Sequence, residues 1–250
     1  MAVFGCEAET SFYARCLELL VFKGYNGARP PDHIAEFGSG SGDAVVAAMA
    51  GTRYAGTVHG IEIDEASFSF GRRLVHGEHL EGKYTIELGN FFLTPPEADC
   101  LIGNPPYLPR LQKSTEKISA DDRALLDQCC GGQTGAEVSQ RLLSLEYKQV
   151  MLLISSYSNP LEIINAARQN NYALVAWLGW STRLGRLGLL VEPAIRNLQE
   201  QSKAFLLSDS DLYLLCGVLW SKSSRAEVSA EERLLVTSLE NLSQHHSSNY

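Results

Sequence analysis

Short apolar runs alternating with helix-length amphipathic segments predict an α/β fold, a sheet of seven mostly parallel strands with helices on both faces. A glycine-rich turn directly after the first run fits a strand-to-helix connection in such a sheet. A polar turn, Ser208–Asp211, precedes the last run and predicts that this strand lies antiparallel to its neighbour.

Along the chain, the predicted strands are His33–Phe37, Val58–Ile63, Tyr84–Leu88, Cys100–Ile102, Val150–Ser155, Ala173–Leu178 and Leu212–Trp220. Predicted helices fall at Ser11–Phe22, Asp43–Met49, Glu65–Val75, Ala136–Leu145 and Leu161–Asn170, the last entered through Asn159 as a cap and Pro160 in the first turn. Leu108–Gln133 is irregular, and a long segment over the top of a sheet is usually functional. Residues 1–222 read as a single domain and residues 223–250 as a polar helix with a frayed tail.

With 21 basic and 29 acidic residues, a formal net charge of -8, the surface as a whole repels a phosphate backbone, so a nucleic-acid partner is disfavoured. The six cysteines (Cys6, Cys16, Cys100, Cys129, Cys130, Cys216) form no C-x-x-C pair and no metal-ligand spacing with histidine, which predicts buried free thiols, a reducing compartment and no metal site. Met1–Thr10 has no basic leader and no apolar run approaches the length of a membrane span, so the expectation is a cytoplasmic protein without a membrane partner.

After the first strand comes Glu36-Phe37-Gly38-Ser39-Gly40-Ser41-Gly42, in which Gly38, Gly40 and Gly42 let the backbone turn tightly and approach a ligand. The second strand ends Ile61-Glu62-Ile63-Asp64, with Glu62 twenty positions beyond Gly42, a spacing at which an acid accepts hydrogen bonds from a ribose diol. The G-x-G-x-G spacing departs from the dinucleotide pattern and implies a nucleoside without pyrophosphate, and Glu36 suits a cation such as the amino group of a methionine moiety.

The fourth strand ends in Asn104-Pro105-Pro106-Tyr107, at the carboxyl edge where the glycine turn also lies. The Asn104 side-chain carbonyl and the Pro105 backbone carbonyl can each accept from one –NH₂ group. Pro105 and Pro106 fix the loop, and Tyr107 offers a ring for a flat amide or base.

These residues resemble the Asn-Pro-Pro-Tyr amino-methyltransferases, and within them the HemK-like glutamine methyltransferases that modify translation release factors. Ala8-Glu9-Thr10 is similar to the family's Pro-Glu-Thr or Glu-Asp-Thr element, Gly38–Gly42 with Glu36 to its D-x-G-T-G-S-G turn, and Gly89-Asn90-Phe91 stands where the family has Gly-Asp-Leu-Phe. Gly131-Gly132-Gln133-Thr134-Gly135 resembles its Gly-Gly-x-x-Gly segment, and Asn159–Ile164 the stretch after the fifth strand in the small members.

The resemblance implies a Rossmann-like, class I S-adenosylmethionine-dependent methyltransferase. It implies a cofactor held by Glu9, Thr10, Glu36, Gly38, Ser39, Gly40, Gly42, Glu62, Ile63, Asn90, Phe91 and Asn104, and a catalytic Asn104, Pro105, Pro106 and Tyr107. A release-factor-like protein is the implied substrate. Because the Glu9-Thr10 element lies so near the start, the resemblance leads one to expect no counterpart of the bacterial members' N-terminal helical domain, as in the small members that work with an activator subunit. Trp177–Phe205, where short members have a hairpin, reads either as a recognition element or as added core. Competing readings are methylation of an adenine amine in RNA or DNA, a cofactor-binding but non-catalytic partner subunit, and, for the glycine turn alone, a nicotinamide-dependent oxidoreductase.

Overall fold

The computed structural model describes residues 7–111, 118–207, 210–224 and 228–244. Cys6, the opening residues 1–6, the middle of Leu108–Gln133, the first half of the Ser208–Asp211 turn and the tail beyond residue 244 lie outside them.

In chain order, the elements are α1 (Glu7–Cys16) continuing into a π-helical turn (Leu17–Phe22), β1 (His33–Phe37), α2 (Asp43–Thr52), β2 (Thr57–Glu62), α3 (Glu65–Gly77), β3 (Tyr84–Leu88) and β4 (Cys100–Gly103). Then follow β5 (Leu108–Pro109), α4 (Ala120–Gln128), β6 (Cys130–Gly132), α5 (Glu137–Leu143), β7 (Gln149–Ser155) and α6 (Pro160–Gln169). The chain continues through β8 (Tyr172–Arg183), α7 (Arg186–Leu190), α8 (Glu192–Glu200), β9 (Leu212–Lys222) and α9 (Ala230–Gln244). Seven strands form one sheet in the order β3-β2-β1-β4-β7-β9-β8, and β5 pairs with β6 in a small sheet of its own.

The expected α/β fold is therefore present. β1–β2, β1–β4, β2–β3 and β4–β7 are parallel, and β8–β9 is antiparallel. The last strand is not at the edge of the sheet: β9 lies between β7 and β8.

By its contacts the chain divides into two compact units. The first, Met1–Asn104 with Tyr147–Leu152, carries β1 to β4 and α1 to α3. Ile34, Ala35, Leu101, Ile102, Val150 and Met151 are buried, as parallel strands covered on both faces require. Phe22, at the end of the π-helical turn, stacks on Tyr54 with ring centroids 4.5 Å apart. Asp64 caps α3 by accepting from the Ser67 N–H at 2.8 Å, so the end of β2 is tied directly to the helix that follows.

The second unit, Pro105–Glu146 with Leu153–Tyr250, is built on the long β8–β9 hairpin. β8 runs five residues beyond the predicted Leu178 because its pairing continues to Arg183↔Leu212, placing the half-buried Trp177 and Trp180 opposite Val218 and Leu215. Ala194, Ile195 and Leu198 of α8 and the following Phe205 and Leu206 are buried, so that part of the Trp177–Phe205 insertion contributes core. Asn159 does not cap α6 with its side chain; it sits at φ 51, a left-handed corner that Asn tolerates, and Pro160 takes the first turn as expected.

Candidate active site

In the first unit, the glycine turn is shaped by its backbone and pinned by one carboxylate. Gly38 and Gly40 have φ of +61 and +57, and a Cβ built on either would meet nothing within 4 Å. The turn thus presents bare backbone to open space, which a ligand can fill. Glu62, at the end of β2 and 6 % exposed, accepts from the Gly40 N–H and, through its other oxygen, from the Asp64 N–H, each at 2.7 Å. The acid and the glycines singled out by their spacing are therefore in direct contact.

Beneath the turn lies a buried polar cluster of which the sequence names only Glu36 and Ser39. The Tyr84 hydroxyl of β3 donates to Glu36 Oε2 at 2.5 Å. Gly60 of β2 is register partner to Glu36, and a Cβ there would lie 2.0 Å from the Ser39 Oγ, so this strand residue leaves the space that Ser39 occupies. Tyr13 of α1 is also close, and burial together with the Glu36 charge pushes its phenol well up.

Burial pushes the Glu36 carboxyl up to about 7; the Tyr84 and Ser39 hydroxyls oppose that and the Glu62 charge adds to it. Unfolding returns the group to its ordinary 4.5, so the folded state holds this proton more tightly. The resulting stability is fully present below about pH 4.5 and is lost as the pH rises through about 7. Glu36→Gln still offers Tyr84 an acceptor but has no charge to bury. Urea denaturation at about pH 5 and about pH 8 is expected to show a fall on the order of 2 kcal/mol in the native protein that the variant lacks.

Asn104 follows β4 as the last residue of the first unit. Phe37 and Gly103 are register partners on the adjacent parallel strands β1 and β4. Gly38 and Asn104 therefore leave neighbouring strand ends at the same level. The Asn104 amide nitrogen donates to Glu9 Oε1 of α1 at 2.7 Å, although the two residues are 95 positions apart. Among the described residues, Asn104 Oδ1 is buried and has no hydrogen-bond donor.

Pro105, Pro106 and Tyr107 belong to the second unit, where a second glycine segment braces them. Ser158 Oγ donates to the Tyr107 carbonyl at 2.7 Å, and the Tyr107 ring meets Tyr157 edge-on at 5.9 Å. A Cβ on Gly131 would lie 2.5 Å from the Pro106 carbonyl oxygen, and one on Gly135, at φ +89, 2.3 Å from that of Tyr107. Gly135→Ala combines an unfavourable backbone angle with a clash against a fixed carbonyl. We expect it to destabilise the protein by about 2 kcal/mol in denaturant titration. Glu137 ties off the same segment by accepting from the Thr134 N–H at 3.0 Å.

No protein-family model and no curated protein matches the chain. Solved structures do. A geranyl diphosphate methyltransferase in complex with S-adenosylmethionine is 12% identical, with 86% of this chain and 85% of that one covered at a TM-score of 0.50. TYW2 of M. jannaschii in complex with the same cofactor is 8% identical, with 88% and 79% covered at 0.49. A ribosomal protein L11 methylase from Lactobacillus delbrueckii subsp. bulgaricus is 16% identical, with 88% and 81% covered at 0.46. The fold is that of the class I S-adenosylmethionine-dependent methyltransferases.

On this methyltransferase fold the residues present fit the cofactor. The backbone at Gly38 and Gly40 faces open space, and the Glu62 carboxylate beside it has lone pairs that can also accept from hydroxyls. Ile63, 73 % exposed at the end of β2, offers an apolar face. The remaining sequence-derived positions are placed as follows. Thr10 is half-buried next to Glu9, which is itself buried on α1. Asn90 is exposed, and its Oδ1 accepts from the Phe92 N–H at 3.0 Å. The Phe91 ring is buried edge-on against Phe37 at 5.5 Å, so its side chain packs in the core.

The sequence did not single out Tyr84, Tyr13 or Gly60. The alternation of β3 turns Tyr84 inward, but nothing local signals its partner on β1. Among the described residues, no group of three or more His, Cys, Asp or Glu side chains could hold a metal ion, and no helix is long and apolar enough to cross a membrane. Cys16, Cys100 and Cys216 are buried, whereas Cys129 and Cys130 are half-buried.

Proposed function

We propose that this protein is an S-adenosylmethionine-dependent N-methyltransferase acting on the glutamine side-chain amide of a protein of the translation release-factor type, as the HemK-like resemblance implies, with residues 1–222 as its catalytic part. The observation that carries the reading is Asn104. A side chain whose buried carbonyl has no partner among the described residues stands at the strand end adjacent to an open glycine cradle. An unpaired buried acceptor is costly and calls for a donor.

The cofactor, when bound, supplies an electrophilic methyl group. The chain's own part is positioning. Asn104 Oδ1 and the Pro105 backbone carbonyl accept the two N–H groups of a planar –NH₂, and Tyr107 stacks on its plane. Glu62, Gly38 and Gly40 hold the nucleoside, Glu36 and Thr10 lie toward the methionine end, and Ser39, Gly42, Ile63, Asn90 and Phe91 complete the cofactor site. Carbonyl acceptors favour the positive charge that grows on the nitrogen, so no side-chain base has to act during transfer, and the methylated nitrogen then loses one proton to water. The net charge of -8 supports a protein rather than a nucleic-acid acceptor. A small activator subunit is the partner that the resemblance suggests.

The test is transfer of a tritiated methyl group from the cofactor to a cell lysate, fractionated into protein and nucleic acid. Label in protein, mapped by mass spectrometry to glutamine, supports the proposal. Label confined to nucleic acid replaces it with base methylation, and no label in either fraction, with cofactor binding intact, favours a non-catalytic subunit.

A further inference from the structure

We propose that Glu9 is a positioning residue that fixes the orientation of the Asn104 amide, so that its carbonyl and not its NH₂ group is presented to the substrate. This rests on the N-methyltransferase reading above. It gives Glu9 a different task from the cofactor contact that the family resemblance implies.

An asparagine amide is nearly symmetric in shape. Turning it by half a revolution exchanges a donor for an acceptor at little steric expense. A site that must grip an –NH₂ group needs the acceptor in place every time. Glu9 breaks the symmetry by charge. A carboxylate only accepts, so whichever amide atom lies 2.7 Å from Glu9 Oε1 has to be the nitrogen, and the oxygen has to face away.

The bond is charge-assisted, roughly twice as strong as a neutral one. Its acceptor, buried on α1, is held in place by the helix. The opposite atom, Oδ1, is left without a partner among the described residues, as expected of an acceptor kept for a ligand.

The inference is tested with Glu9→Ala and the isosteric Glu9→Gln, each in the native and the Asn104→Ala background. Loss of the carboxylate is expected to lower kcat about tenfold while the Kd for S-adenosylhomocysteine stays within about threefold, and to have no further effect once Asn104 is gone. Glu9→Gln, whose own amide can meet Asn104 in either sense, is expected to fall between.

A second readout needs no turnover. The side-chain NH₂ signal of Asn104 in nitrogen-15 NMR should be protected from solvent exchange in the native protein and lose that protection in Glu9→Ala. Unchanged protection overturns the inference. So does an equal loss of S-adenosylhomocysteine affinity in both backgrounds, which would return Glu9 to the cofactor. If the native protein transfers no methyl group to any acceptor, the functional reading fails, while the NMR result still decides whether Glu9 sets the amide.

Discussion

Replacing Asn104 with alanine is expected to lower methyl transfer by about 10²–10³-fold, with the affinity for S-adenosylhomocysteine within about threefold of the native value. Asn104 stands one residue past β4, level with Gly38 past β1, and its Oδ1 has no partner among the described residues. Removing that acceptor takes away both the orientation of the reacting nitrogen and the dipole that stabilises its developing charge. Single-turnover kinetics separates this effect from binding. Asn104→Asp gives a sharper contrast. It keeps the shape but sets a second carboxyl against Glu9 at the present 2.7 Å spacing, so that the two repel unless they share a proton. Activity should be low at neutral pH and partly recover as the pH falls. Native-like activity in both variants would remove Asn104 from the mechanism.

The sheet was legible because its strands are short, apolar and separated by strong breaks. His33–Phe37 and Tyr84–Leu88 run between the same residues in the structure as expected from the sequence, β4 and β7 differ by a residue at one end, and β2 is shifted by one residue at both. The extension of β8 to Arg183 was not legible, since Gly179, Ser181 and Thr182 belong to the strand only through cross-strand pairing with β9. The cap at Asn159 failed for a related reason. Asn serves a left-handed corner as readily as a cap, and sequence alone does not distinguish the two uses.

Within the candidate site, the contact of Glu62 with Gly40 was foreshadowed by a spacing. The contacts of Glu36 with Tyr84 and of Glu9 with Asn104 join residues 48 and 95 positions apart, and no local pattern encodes them. The distinction is physical. A turn imposes its demands on the residues that form it, and these can be read. A buried hydrogen bond between distant elements is a demand of the folded state, met by whichever residue the topology brings near.

Glu62→Gln is a severe change despite its small size. Each Glu62 oxygen accepts one backbone N–H, from Gly40 on one side and Asp64 on the other. Glutamine supplies one oxygen and one NH₂ group, so whichever way it turns, one N–H donor meets another. The mismatch leaves a buried donor unpaired and removes the charge from the surviving bond, at a combined expense of about 2–3 kcal/mol in denaturant titration. Under the proposed ribose role the affinity for S-adenosylhomocysteine should fall as well, by up to about 100-fold in calorimetry, the equivalent of one charge-assisted bond. The two readouts separate two roles. A variant that is destabilised but binds normally would make Glu62 a fastener of the turn and no more. Loss of both places the carboxylate between backbone and ligand, where the fold and the cofactor depend on the same two oxygens.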